Sequence, residues 1–167
     1  MQELIKTLFD IVLIRKGPDA IPHSWLLAYA AVVLWFFPLF AATALIPTFE
    51  GRAVAVTVAG WAISLVGYAL VIALAGYARR LLQSLTAIIG CGALIFLGQV
   101  AGVVFLSPFL GDRLALIVAY LLLFWSVYVK GHIMARTLNR EWYIGFIIAI
   151  GVFLLQYAFS MAVAPAS

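Results

Sequence analysis

Residues 81–106 read LLQSLTAIIGCGALIFLGQVAGVVFL, a run with no charged side chain, bounded by Arg79-Arg80 before it and Ser107-Pro108 after it. It is too long for a buried strand and long enough to cross the roughly 30 Å hydrocarbon layer of a bilayer, which takes about 20 helical residues. Its glycines, Gly90, Gly92, Gly98 and Gly102, weaken a helix in water, but in lipid they let helix backbones approach one another. The run therefore reads as a transmembrane helix, and the sequence on either side has to suit a membrane.

It does. Upstream, an apolar run covers 53–77, and the nearly absent connection at Arg79-Arg80 makes it an antiparallel hairpin with 81–106. A further span over 25–46 precedes it, with Pro38 in its middle as a kink. Downstream, spans cover 114–128 and 142–162, the first continuing as helix past Lys130 toward Leu138. Turns fall at 17–24, where Gly17, Pro18 and Pro22 oppose a helix and Ser24 suits an N-cap, at 47–52, and at 107–113, where Pro108 and Gly111 interrupt the pattern. The whole chain of 167 residues is 67% hydrophobic and 10% charged, with mean hydropathy +1.20, against about 25% charged residues in ordinary soluble domains. A water-soluble domain is excluded. The expected fold is all-α: one membrane domain over 1–167, with five transmembrane helices and an N-terminal interfacial helix over 1–16.

That first helix has Leu4, Ile5, Leu8, Ile11 and Val12 at helical spacing and Glu3, Lys6, Thr7 and Asp10 opposite them. It reads either as an amphipathic helix lying in the membrane interface or as one packed on the protein's own helix ends. Glu3 and Asp10, with no small-residue cleavage site after them, argue against a signal peptide.

Lys and Arg set orientation. One side carries Lys6, Arg15, Lys16, Arg79, Arg80, Lys130, Arg136 and Arg140, and the other only Arg52 and Arg113, which is 8 against 2. The N-terminus is expected in the cytoplasm and the C-terminus outside, in a bacterial inner membrane with a periplasmic C-terminus. The net charge of +4 and pI near 9.5 come from these scattered residues and form no stripe for nucleic acid.

Chemistry is sparse. No span has a charged residue at mid-depth, where one would mark a proton or ion path. Gln99 and Gln156 are the costliest polar residues inside, and each reads as an interhelical hydrogen bond or as part of a polar path. Cys91, the single cysteine, reads as a small core residue. His23 and His132 do not make a metal site unless Asp10, Asp19 and Glu141 converge with them, and no cofactor is expected. Small residues are the stronger pattern: Gly98 and Gly102 form a GxxxG element, Gly60 and Gly67 mark the second span, and all four are assigned to helix packing. Arg79, Arg80, Lys130, Arg136 and Arg140 assemble a face for anionic lipid headgroups or an acidic partner.

A short amphipathic segment, Gly17-Pro18 and Pro22, five spans, and the connector Gly131-His132-Ile133-Met134-Ala135-Arg136-Thr137-Leu138 before the last span resemble the Yip domain family. The resemblance implies the five-span fold and topology of its small bacterial members. Eukaryotic members act in vesicle traffic and contact small GTPases through a cytoplasmic N-terminal region; little of such a region precedes Trp25, so that function is not expected to transfer.

The expectation for function is a non-enzymatic inner-membrane protein, a scaffolding, assembly or accessory subunit with membrane lipids and a membrane-protein partner or a second copy as its associates. The alternative is a small-molecule or lipid transporter or channel acting as an oligomer, with Gln99 and Gln156 on its path. An enzyme using His23, His132 and Glu141 on lipid headgroups is a third reading.

Overall fold

The computed structural model describes residues 2–163; Met1 and 164–167, which the expected domain over 1–167 includes, lie outside the described residues. The apolar runs fold as helices because a chain in lipid must satisfy its backbone hydrogen bonds within each segment. The order is α1 (Gln2–Val12), α2 (Trp25–Leu45), α3 (Arg52–Leu74), α4 (Leu81–Leu110), α5 (Asp112–Leu138) and α6 (Trp142–Val163), with 3-10 turns at Pro18–Ala20 and Ala78–Arg80. The five helices α2 to α6 are each long and apolar enough to cross a membrane. The protein is an all-α, multi-pass membrane protein with a short N-terminal helix.

α4 is the centre of the bundle. It packs on α2 and on α5, α5 packs on α6, and α6 packs on α3. The main core joins Tyr68 and Ile72 of α3, Ile88 and Cys91 of α4, Val129 and Ile133 of α5 and Val152 of α6. A second core, Ala31, Trp35 and Leu39 with Ile89 and Ala93, seats α2 on α4, and Trp35 stacks on Trp61 of α3 with ring centroids 4.1 Å apart. In the expected hairpin of α3 and α4, α3 packs more closely on α6 than on α4. The two helices are consecutive, but Gly60 and Gly67 turn α3 toward Gln156 and Val152 of α6.

Three boundaries differ from the sequence expectation, the first being the N-terminal helix, which stops at Val12 and does not reach residue 16, because Ile14 leaves the helical region with a φ of +61°. The turn expected at 107–113 shrinks to Gly111, whose φ of +78° suits glycine and few other residues. α4 runs through Ser107 and Pro108 because a proline in a last turn removes only one hydrogen bond, and the Gly111 amide still donates to the Ser107 carbonyl at 2.9 Å. At the other end α3 stops at Leu74, before Tyr77, because Gly76 takes a φ of +82°. Ser24 is the residue before α2 as expected, but its side chain makes no capping hydrogen bond. Pro38 lies inside a continuous α2 and is buried.

α1 is docked against the other helices. Leu8 and Ile11 are fully buried, Leu8 lies over Gly90 of α4, and the indole Nε1 of Trp125 on α5 donates to the Val12 carbonyl at 3.1 Å. Gly90 is nine residues along α4 from Leu81, roughly 14 Å at 1.5 Å per residue. The polar side is outward: Glu3 and Lys6 are exposed, and Lys16 Nζ pairs with Asp10 Oδ2 at 2.7 Å. The hydrogen bond from Lys16 holds the Asp10 carboxyl below its usual range.

Candidate functional site

The last carbonyls of a helix lack intrahelical donors, so the end of α5 needs partners. Arg80 supplies them. Its Nη1 donates to the Thr137 carbonyl at 3.1 Å and reaches the Arg136 carbonyl at 3.4 Å, while the guanidinium carbon lies 5.6 Å from the Tyr77 ring centroid. Asn139 ends α5 with a φ of +50°, a conformation asparagine accepts more readily than most residues. Beneath this cap the hydroxyls of Ser84 and Thr137 lie 2.7 Å apart, and both are buried. Each has one hydrogen, so whichever hydroxyl donates across the helices, its partner donates back to a carbonyl of its own helix: Arg80 for Ser84, at 2.9 Å, or Ile133 for Thr137, at 2.8 Å.

The segment after α1 closes over this end. Gln83 Nε2 donates to the Ile21 carbonyl at 2.8 Å, and His132 Nε2 lies 3.2 Å from the Lys16 carbonyl. Two open clefts result. One, of about 430 Å³, is lined by Pro18, Asp19, Arg80, Gln83, Ser84, Arg136, Thr137 and Asn139. The other, of about 650 Å³, lies between the end of α5 and the start of α6, with Arg136, Arg140, His132, Glu141, Trp142 and Tyr143 among its lining residues.

The residues singled out in the sequence divide as follows. Arg80, Arg136 and Arg140 belong to this end and line one or both clefts. Arg79 is exposed beside them. Lys130 does not join them: it is half-buried on α5 and lines neither cleft. Six residues of α-helix turn through about 240° net, so Lys130 and Arg136 share a helix without sharing a face. His132 and Glu141 line the second cleft and His23 does not. Among the described residues no group of three or more His, Cys, Asp or Glu is placed to hold a metal ion.

Gln99 Nε2 donates across helices to the Ala119 carbonyl of α5 at 3.2 Å, and Gln99 borders a small groove of about 280 Å³ between α2, α4 and α5. Gln156 lies elsewhere, on α6 against Gly60 of α3, and does not line that groove. Gly98 and Gly102 face Leu122 and Val118 of α5 at ordinary contact distance. Of the glycines, Gly145 has the least room, against Gly131: a Cβ on Gly145 would stand 2.5 Å from the Ala135 nitrogen and nearer still to the Gly131 carbonyl.

Several residues of this end escaped the sequence reading: Gln83, Ser84, Thr137 and Asn139. Their one sequence signal is polarity inside the first turn of α4 and the last turn of α5, where such residues are ordinary. No protein-family model, curated protein or solved structure matches this chain.

Proposed function

We propose that the protein is a non-enzymatic organiser of other membrane components, a scaffolding or accessory subunit whose basic end faces the cytoplasm and binds anionic headgroups or an acidic partner. One observation carries this reading: Arg80 is consumed in capping α5, whereas Arg136 and Arg140 stand exposed at the rim of built clefts. Fixing orientation requires only that a lysine or arginine be on the correct side; it does not require clefts. The five apolar helices support the same membrane placement and add no activity. The transporter alternative needs Gln99 and Gln156 on one path, and their separate helix pairs lend it no support. The enzyme reading needs His23 beside His132 and Glu141, and His23 is absent from their cleft.

The test is purification of the tagged protein from its native membrane in mild detergent, with mass spectrometry of all bound protein and lipid. A stoichiometric protein partner or a retained anionic lipid is expected. A chain that emerges with neither overturns the proposal, and solute flux on reconstitution would then favour the transporter alternative.

A further inference from the structure

The cleft at Arg136 and Arg140 does not end in polar surface. His132 and Trp142 also line a narrow gap with Tyr128 and Phe146, and those two rings open in turn onto an apolar groove of about 600 Å³ between α5 and α6, walled by Trp125, Ile150, Phe153 and Leu154. The junction is aromatic. Tyr128 and Phe146 meet edge to face at 6.0 Å between centroids, Trp142 and Phe146 lie 6.4 Å apart, and Trp125 stacks on Tyr128 at 5.7 Å. Tyrosine and tryptophan are the residues favoured where headgroups meet acyl chains. The sequence in space is thus cationic, aromatic, apolar, which is the order of a phospholipid read from phosphate to tail.

We infer that the α5–α6 face is a binding site for a single anionic phospholipid, its phosphodiester held by Arg136 and Arg140 and one acyl chain laid in the groove past Phe146 toward Leu154. Charge selects the occupant. Two arginines and Glu141 leave one net positive charge in the cleft, counting His132 as neutral, and a phosphodiester lipid with no cationic headgroup supplies one negative charge. A guanidinium suits this task because its fixed fork matches phosphate oxygens. The close Gly131–Gly145 approach joins α5 and α6 beside the headgroup cleft, so the two walls of the site are held together by backbone contact. The inference deepens the proposed lipid-binding role of the basic end and rests on it.

The experiment places p-benzoylphenylalanine at position 150 in the groove and, as a control, at exposed Leu70 on α3, in the full chain reconstituted into vesicles of phosphatidylglycerol and phosphatidylcholine. After illumination, mass spectrometry identifies the lipid attached at each position. Position 150 is expected to capture phosphatidylglycerol over its bulk ratio by on the order of fivefold, the worth of one net basic charge at an anionic surface. Position 70 should capture the bulk ratio. Arg136→Gln with Arg140→Gln should return position 150 to the bulk ratio, and Arg136→Lys with Arg140→Lys, which keeps the charge and loses the fork, should leave an intermediate enrichment. Bulk-ratio capture at position 150, enrichment that survives the glutamine pair, or crosslinking to a second copy of the chain would each overturn the site. If anionic lipid co-purifies while position 150 shows bulk capture, the site fails and the broader role stands; if no lipid or partner co-purifies, the role itself fails.

Discussion

Gly145 has no room for a side chain, because the atoms a Cβ would strike belong to the backbone of Gly131 and Ala135 and cannot rotate away. Gly145→Ala should therefore lower stability by about 1–3 kcal/mol, the usual cost of overpacking. Gly92→Ala is the matched control: nothing lies within 4 Å of its Cβ position, so the same change there should leave the unfolding temperature in detergent unchanged or raise it. Equal losses at both positions would mean that helix approach is not what Gly145 provides. The sequence drew attention to Gly98 and Gly102 because their spacing fits a motif. Spacing on one helix does not say whether the opposing residue is small, and Gly98 meets Leu122 whereas Gly145 meets Gly131. Lys130 shows the same limit. It was grouped with Arg136 by depth along the helix, and rotation about the axis places it apart. Among the described residues the one ion pair is Lys16 with Asp10, so Lys130 has no carboxylate partner. A half-buried lysine without one is costly, and Lys130→Met should raise the unfolding temperature. A fall would point to a role for its charge that the orientation rule does not capture.

Helix α1 is held in place by tertiary contact. Ile14, just past its end, has a φ of +61°, where a branched side chain is strained, and the burial of Leu8 and Ile11 offsets that cost. The contact also covers Cys91, whose Sγ lies 3.7 Å from the Leu8 carbonyl. Leu8→Ala removes the side chain that fills the space over Gly90 and should cost about 2–5 kcal/mol of docking. Cys91 is the single cysteine in the chain, so labelling by a small membrane-permeant maleimide reports on this one position, and the comparison with Leu8→Ala isolates the part of its cover that α1 provides. Cys91 is expected to react slowly in the native protein and at least several times faster in Leu8→Ala; unchanged protection would show that α1 does not cover it. The amphipathic pattern of 1–16 was plain in the sequence, but one apolar face fits a lipid interface or a protein groove equally well; what the sequence did not show is that Leu8 and Ile11 pack on the protein while Ile5 and Phe9 stay exposed. The spans were legible for a firmer reason, since a bilayer imposes helix and length together. The end of α4 was misplaced because Pro108 carries a strong turn signal, although near a helix terminus its missing donor costs little.

Orientation follows from charge summed over all the connections. The end of the bundle bearing Arg79, Arg80, Arg136 and Arg140 also gathers Lys16 beside His132, and the opposite end has Arg52 and Arg113. Arg52 there reaches the Val163 carbonyl at the end of α6, which ties the helix starts and ends together on that side. An excess of 8 to 2 should hold nearly every copy in one direction, with the basic end in the cytoplasm. In a Cys91→Ser background, Thr48→Cys and Ala78→Cys place exposed thiols at opposite ends of α3, outside the helix itself. A membrane-impermeant maleimide applied to intact cells should label position 48 and spare position 78 until the membrane is opened. Labelling of position 78 alone would invert the orientation and place the proposed lipid cleft in the outer leaflet. Half-labelling of both would mean that copies insert in either direction. The lipid site depends on the first outcome, because the cytoplasmic leaflet is the one whose anionic lipids give a surface potential that draws arginines toward it.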